Sequence, residues 1–166
     1  NNPQITFADF RGAVLFQFLL TGAASIYYGD EAGIDGTIDS NEGCRYPMPW
    51  QRNFRAGESY RLYRAMSHLK KAHPALCGGG MKFLYAQGDV FSIARFSGDD
   101  MVVGVISKSN REETVRLPLA ALGAKAPACS EDLLGIPLTW KPSDSKSILL
   151  TVPPHGSLLF SCARKV

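Results

Sequence analysis

The sequence predicts an α+β chain in which the closing sector of an α/β barrel (helix, strand, long loop, helix) is followed by an antiparallel β-sandwich. Three observations lead there. Apolar residues recur at helical spacing on either side of a short continuous apolar run at residues 24–28. Between Asp30 and Gly57 neither a helical nor a strand period is sustained, and so long a connection inside a compact domain is characteristically a binding or active-site loop. Beyond Cys77-Gly78-Gly79-Gly80 the hydrophobic period changes to two, with short strands separated by turn signals.

The first helix is announced by Thr6-Phe7-Ala8-Asp9, an N-cap with an acidic residue three positions on. Phe7, Phe10, Val14, Leu15, Phe18 and Leu19 then follow helical spacing, and Thr21-Gly22 ends the helix. Residues 24–28 read as a buried strand, continuously apolar and bounded by Gly22 and Gly29. After the loop, Leu62, Tyr63, Met66 and Leu69 mark one face of a helix over 58–72, which His73-Pro74 terminates because proline disfavours helical geometry in the residue before it. One strand cannot satisfy its own N–H and C=O groups, so residues 1–77 read as one sector of an α/β barrel, and what their loop resembles makes them the last sector of a (β/α)8 barrel whose other strands lie upstream.

Strands are expected at 81–86, 90–96, 101–107, 114–117, 148–152 and 157–162, with further short ones near 129–134 and 138–140. Residues 81–166 then form the sandwich, with Phe83, Tyr85, Phe91 and Phe96 as alternating core positions.

The chain has 166 residues, 45% hydrophobic and 20% charged, which is ordinary globular composition. A net charge of +3 is too small to argue for nucleic acid or a membrane surface, and no apolar run reaches the roughly 18 residues of a membrane span. Residues 1–20 show no secretory signal. Cysteines 44, 77, 129 and 162 lack C-x-x-C spacing, so a metal site is not expected, and scattered free thiols lean toward a cytoplasmic setting. His68 and His73 read as solvated, His155 lies in a Pro-Pro-His-Gly turn, and no cofactor motif is present.

Tyr27-Tyr28-Gly29-Asp30-Glu31-Ala32-Gly33, then Gly36, then Cys44-Arg45-Tyr46-Pro47-Met48-Pro49-Trp50, resembles the eighth-strand region of the α-amylase family, closest to its neopullulanase and cyclomaltodextrinase branch. Residues 69–76, LKKAHPAL, resemble the end of the helix that follows in that family. The resemblance implies a retaining glycosidase acting on α-glucans such as maltodextrin, cyclodextrin or pullulan. Such hydrolysis needs two carboxyl groups about 5 to 5.5 Å apart. The family's three catalytic acids sit at the ends of barrel strands four, five and seven, which would precede Asn1. No catalytic residue carries over, and the chain by itself is expected to be inactive. Asp30 and Glu31 are adjacent and leave a strand on opposite sides, so they do not flank one bond.

Substrate binding does carry over. The family's loop after strand eight places an Asp and an Arg on a glucose unit, and Arg45 matches that arginine; its guanidinium fork suits paired sugar hydroxyls. Its partner is either Asn41, at the family spacing, or Asp39, which has the expected chemistry. The alternative is that Arg45 pairs with Asp30 or Glu31 and braces the loop. Trp50 offers an apolar face to a sugar ring or else anchors the loop in a core.

Two rival functions remain: a non-catalytic protein of this fold, such as a transporter heavy-chain ectodomain, and a free-standing glucan-binding sandwich. The apolar face of the first helix and the strand at 24–28, deprived of their sheet, are expected to make the chain self-associate through residues 5–28.

Overall fold

The structure, a computed structural model, describes residues 5–34, 36, 45–127 and 131–164. Three helices are followed by eight strands. The helices are α1 (Phe7–Leu19), α2 (Glu58–Ala72) and α3 (Pro74–Cys77). The strands are β1 (Gly80–Gln87), β2 (Val90–Ser97), β3 (Asp100–Ser107), β4 (Glu113–Leu117), β5 (Ala124–Pro127), β6 (Thr139–Pro142), β7 (Ile148–Val152) and β8 (Ser157–Arg164). All pairings are antiparallel: a five-stranded sheet of order β1-β2-β3-β8-β5 faces a three-stranded sheet of order β4-β7-β6. The sandwich read from the sequence is therefore present.

Strand alternation explains why the larger sheet is covered twice. Ala94, Met101, Val103, Val105, Leu158 and Phe160 point at the smaller sheet and form one core with Val115, Leu117, Ile148 and Leu150. The intervening residues Ile93, Val102, Ile106 and Leu159 point the other way and form a second core with Val14, Leu15, Phe18 and Leu19 of α1, Leu62 and Met66 of α2, and Leu76 of α3. The molecule is thus three layers deep, helices on sheet on sheet. β3, in the middle, is buried on both faces along almost its whole length.

Phe18 and Leu19, expected to lie uncovered, are accordingly buried within the chain. Close approach of α1 is permitted at Gly104, where an added Cβ would lie 2.2 Å from Leu19 Cδ1. The helix begins as its sequence requires: the Thr6 N–H donates to Asp9 Oδ2 at 2.8 Å and the Asp9 N–H to Thr6 Oγ1 at 3.3 Å, a complete capping box.

Four polar clasps fasten the helical layer to the sandwich. Arg95, fully buried, donates to Leu19 O (2.9 Å) and Leu20 O (2.8 Å) at the end of α1, and to Gly79 O (3.0 Å) and Gly80 O (3.2 Å). No carboxylate pairs with it among the described residues, and burial pulls the basicity of its guanidinium down. Asp132, also buried, accepts from the N–H groups of Leu134, Ile136 and Leu159 and from Arg11. His155 Nδ1 meets Asp9 at 2.8 Å, and its Nε2 meets Asn110 at 2.7 Å. His73, read as solvated, instead meets Asp100 at 2.9 Å, whose other oxygen accepts from the Ala75 N–H.

Several expectations are corrected. Residues 24–28 form no strand; Ile26, Tyr27 and Tyr28 are exposed, because no other strand of the described chain lies beside them to complete a ladder. The 3₁₀ turn at Leu119–Leu122, β5 and α3 had no signal in the reading. The strand expected near 129–134 falls partly outside the described residues; within them Glu131 makes an isolated bridge to Pro137. Phe83 stands opposite Ile93 on the helix-covered face, lining an open cleft with Gly12, Ala13 and Phe16 of α1, and is 54% exposed. Of Gly78-Gly79-Gly80, the last two are packed tight: a Cβ on Gly79 would lie 2.5 Å from Phe96 O and 2.6 Å from Ala75 O, and one on Gly80 2.7 Å from the Phe96 ring, whereas Gly78 is open.

Candidate functional site

From the end of α1 the chain bends at Gly22, runs without regular structure to Tyr27, and enters a tight acidic turn at Tyr28. Gly29 and Gly33 adopt φ of 89° and 66°, which side chains resist, and Ile34 N–H closes the turn on Gly29 O at 2.9 Å. Glu31 bends back so that its Oε2 accepts from the Gly29 N–H at 3.0 Å. Asp30 is half-buried; burial is the chief cause that raises its carboxyl above the ordinary range, with the Glu31 charge adding to it. Beneath the turn Tyr63 of α2 is pushed up to about 12, first by burial and then by the charges of Asp30 and Glu31. The two carboxyls are therefore local fittings of a turn, as their adjacency suggested.

The loop's far side is tied to its near side by Tyr28, whose hydroxyl donates to Tyr46 O at 2.7 Å. Residues 48–57 then form a chain of short turns: Trp50 N–H to Met48 O (2.8 Å), Arg52 N–H to Pro49 O (2.9 Å), Phe54 N–H to Arg52 O (2.8 Å), and the 3₁₀ turn Phe54–Ala56. These turns set up a stack of rings. Trp50 meets Phe54 edge-on at 6.1 Å, and Phe54 meets Tyr60 of α2 at 5.9 Å.

Arg45 is exposed and makes no ion pair with Asp30 or Glu31, so the bracing pairs are not formed. Trp50 is 73% exposed and does not anchor a core; its ring is held from one side by Phe54. Asp39 and Asn41 lie outside the described residues, as do Cys44 and Cys129. Residues that the reading missed line a cleft of about 610 Å³ beside the acidic turn: Ile34, Tyr46, Pro47, Arg52, Asn53 and Phe54. Arg52, Asn53 and Phe54 carried no signal in the sequence, where a polar stretch simply separates Trp50 from Phe54.

No group of three metal-ligating side chains occurs among the described residues, nor is any described helix long and apolar enough to cross a membrane. Cys77 is an exposed free thiol; Cys162 is free and buried, its thiol pushed up to about 12.

No family model matches the chain. Sequence relatives do. A cyclomaltodextrinase of a Bacillus species is 38% identical over 106 residues, 63% of this chain and 19% of its own length. Neopullulanase 2 of Thermoactinomyces vulgaris is 32% identical over 120 residues, 71% of this chain and 20% of its own. The chain is a homologue of cyclomaltodextrinases and neopullulanases. It spans about a fifth of the length of these curated relatives. The debranching enzyme of Nostoc punctiforme superposes with a TM-score of 0.74 at 26% identity, over 93% of this chain and 31% of that one. The antiparallel sandwich is thus shared with solved members of this group of homologues.

Proposed function

We propose that this chain is the C-terminal part of a retaining α-glucan glycosidase, with residues 1–77 as the closing sector of its (β/α)8 barrel and 81–166 as its C-terminal sandwich. The loop supplies a substrate contact and the reacting carboxyls come from elsewhere in the protein. The observation that carries this reading is Arg45: in a segment homologous to a cyclomaltodextrinase its guanidinium is exposed and, among the described residues, paired with neither Asp30 nor Glu31, so it is not spent on bracing the acidic turn. Trp50 adds an exposed ring that a pyranose can cover.

The chain alone then binds an α-glucan without cleaving it. Titration with maltohexaose should give weak saturable binding, which Arg45→Ala weakens by about 1 to 3 kcal/mol, the range for hydrogen bonds to a charged donor. Melting temperature should be unchanged. Release of reducing sugar by the purified chain would show that the catalytic groups are within it after all. Undiminished affinity in Arg45→Ala would remove Arg45 from the substrate site.

A further inference from the structure

We propose that His155 is a proton-dependent clasp between the start of α1 and the sandwich, closed when its ring is an imidazolium and loosened when the ring gives up a proton. Among the described residues His155 is the one non-glycine at positive φ, 48°. A side chain holds that conformation only where its surroundings over-determine it. Three contacts do so here. Its N–H donates to Ser109 O at 2.9 Å, its Nδ1 meets Asp9 Oδ1 at 2.8 Å, and its Nε2 meets Asn110 Oδ1 at 2.7 Å. The turn between β7 and β8 is thereby tied both to the β3–β4 connection and to the capping box of α1.

Both ring nitrogens thus face oxygen atoms. A neutral imidazole carries a single N–H and satisfies one of them, whereas an imidazolium donates to both. Asp9 is the matching anion: the Thr6 N–H first, then the Thr6 hydroxyl and His155, hold its carboxyl down to about 2, so it is charged except in strong acid. The two side chains are 31% and 25% exposed, and a charge-assisted bond there is screened less than on open surface. The other charges on the elements packed around the ring are Arg11 of α1, which pairs with Asp132, Lys108, Arg111 and Glu112 in the β3–β4 connection, and Glu113 of β4, which pairs with Arg111. No ion pair joins any of these to the imidazole among the described residues. When the proton leaves, the ion pair with Asp9 is lost, and the Asn110 contact survives only if its amide turns over to donate. The folded chain favours the protonated ring, so this contribution to stability is full in mildly acid solution and is lost as pH rises through histidine's titration range of about 5 to 8. Asp9 bounds it from below, losing its charge as pH falls from about 4 toward 2.

The test is a double-mutant cycle of Asp9→Asn and His155→Asn in the 166-residue chain, read by denaturant unfolding at about pH 5.5 and about pH 8.5. Asparagine tolerates positive φ and does not titrate. The coupling should be about fivefold in the folding equilibrium constant at the lower pH and below about twofold at the higher. The His73–Asp100 pair is present in all four proteins and cancels. His155→Gly, which removes both the ring and the backbone strain, should abolish the same pH dependence and serves if the asparagine variant does not fold. NMR of the ring nitrogens should find both protonated at the lower pH. Equal coupling at the two pH values would make the contact one of shape alone and overturn the proposal. An Nε2 without a proton at the lower pH would overturn it as well.

Discussion

Two runs of the chain that both read as buried strands, residues 24–28 and residues 101–107, have opposite fates. Val102, Val103, Val105 and Ile106 lie in β3, paired on one edge with β2 and on the other with β8, and covered by α1 on one face and the smaller sheet on the other. Ile26, Tyr27 and Tyr28 are exposed and lie in no strand. β-propensity describes how well a residue fits a pleated, half-buried surface, and it makes a strand only where neighbours supply that surface. The same contrast divides the molecule. α1, α2 and the sandwich share continuous cores and polar clasps, whereas the loop that carries the candidate site is held by turns and ring contacts at its edge.

The sharpest way to break this contrast is at Arg95. Its guanidinium joins the end of α1 to the entry of β1 from inside the sheet. Arg95→Met keeps much of the volume and removes every donor, leaving four carbonyls without their charged partner. Denaturant unfolding should show a loss of about 3 kcal/mol, the upper end of the range for leaving a buried acceptor unsatisfied. Amide exchange should accelerate first at the C-terminal end of α1. A loss below about 1 kcal/mol would mean that water replaces the arginine and that apolar packing alone fixes the helix.

A smaller effect probes the same contact through sterics. Gly104→Ala places a methyl group 2.2 Å from Leu19 Cδ1, and α1 or that side chain must move. The expected cost is about 1 to 3 kcal/mol, as for other overpacked cores. In a double-mutant cycle, Leu19→Val should recover part of it, with a coupling of at least about 0.5 kcal/mol. Strict additivity of the two changes would show that α1 does not bear on β3 at this point.

These contacts mark how far the fold was legible. The sandwich strands could be read because alternation and turn residues are local signals, and Gly88 and Gly98 do sit at positive φ in their hairpins. α1 could be read from Thr6 and Asp9. What covers α1 could not, because the residues that receive it, such as Ile93, Val102 and Gly104, lie some eighty positions away and read equally well as the inside of a two-layer sandwich. β5, with Ala124 and Pro127 as its described pairing positions, has too little pattern to be seen. In the site, Arg45 was recognised through its family resemblance. Arg52 was not, because an exposed arginine in a loop carries no signal until the cleft it lines is known.

The smallest expected effect separates charge from packing in the clasp at the start of α1. Asp9 is held down to about 2, chiefly by the hydrogen bond from the Thr6 N–H, then by the Thr6 hydroxyl and by His155, against an ordinary value of 3.8. The folded value is lower than the unfolded one, so the contribution to stability is present above pH 4 and is lost as pH falls from about 4 toward 2. Asp9→Asn keeps the shape of the side chain and abolishes its titration. At neutral pH it should cost about 1 kcal/mol, typical of a helix cap, and it should flatten the acid limb of the stability curve between pH 4 and 2. If instead the variant loses stability equally at pH 2 and pH 7, the box acts through geometry alone. The Asp9–His155 contact would then contribute no charge-dependent hold between the helical layer and the sandwich.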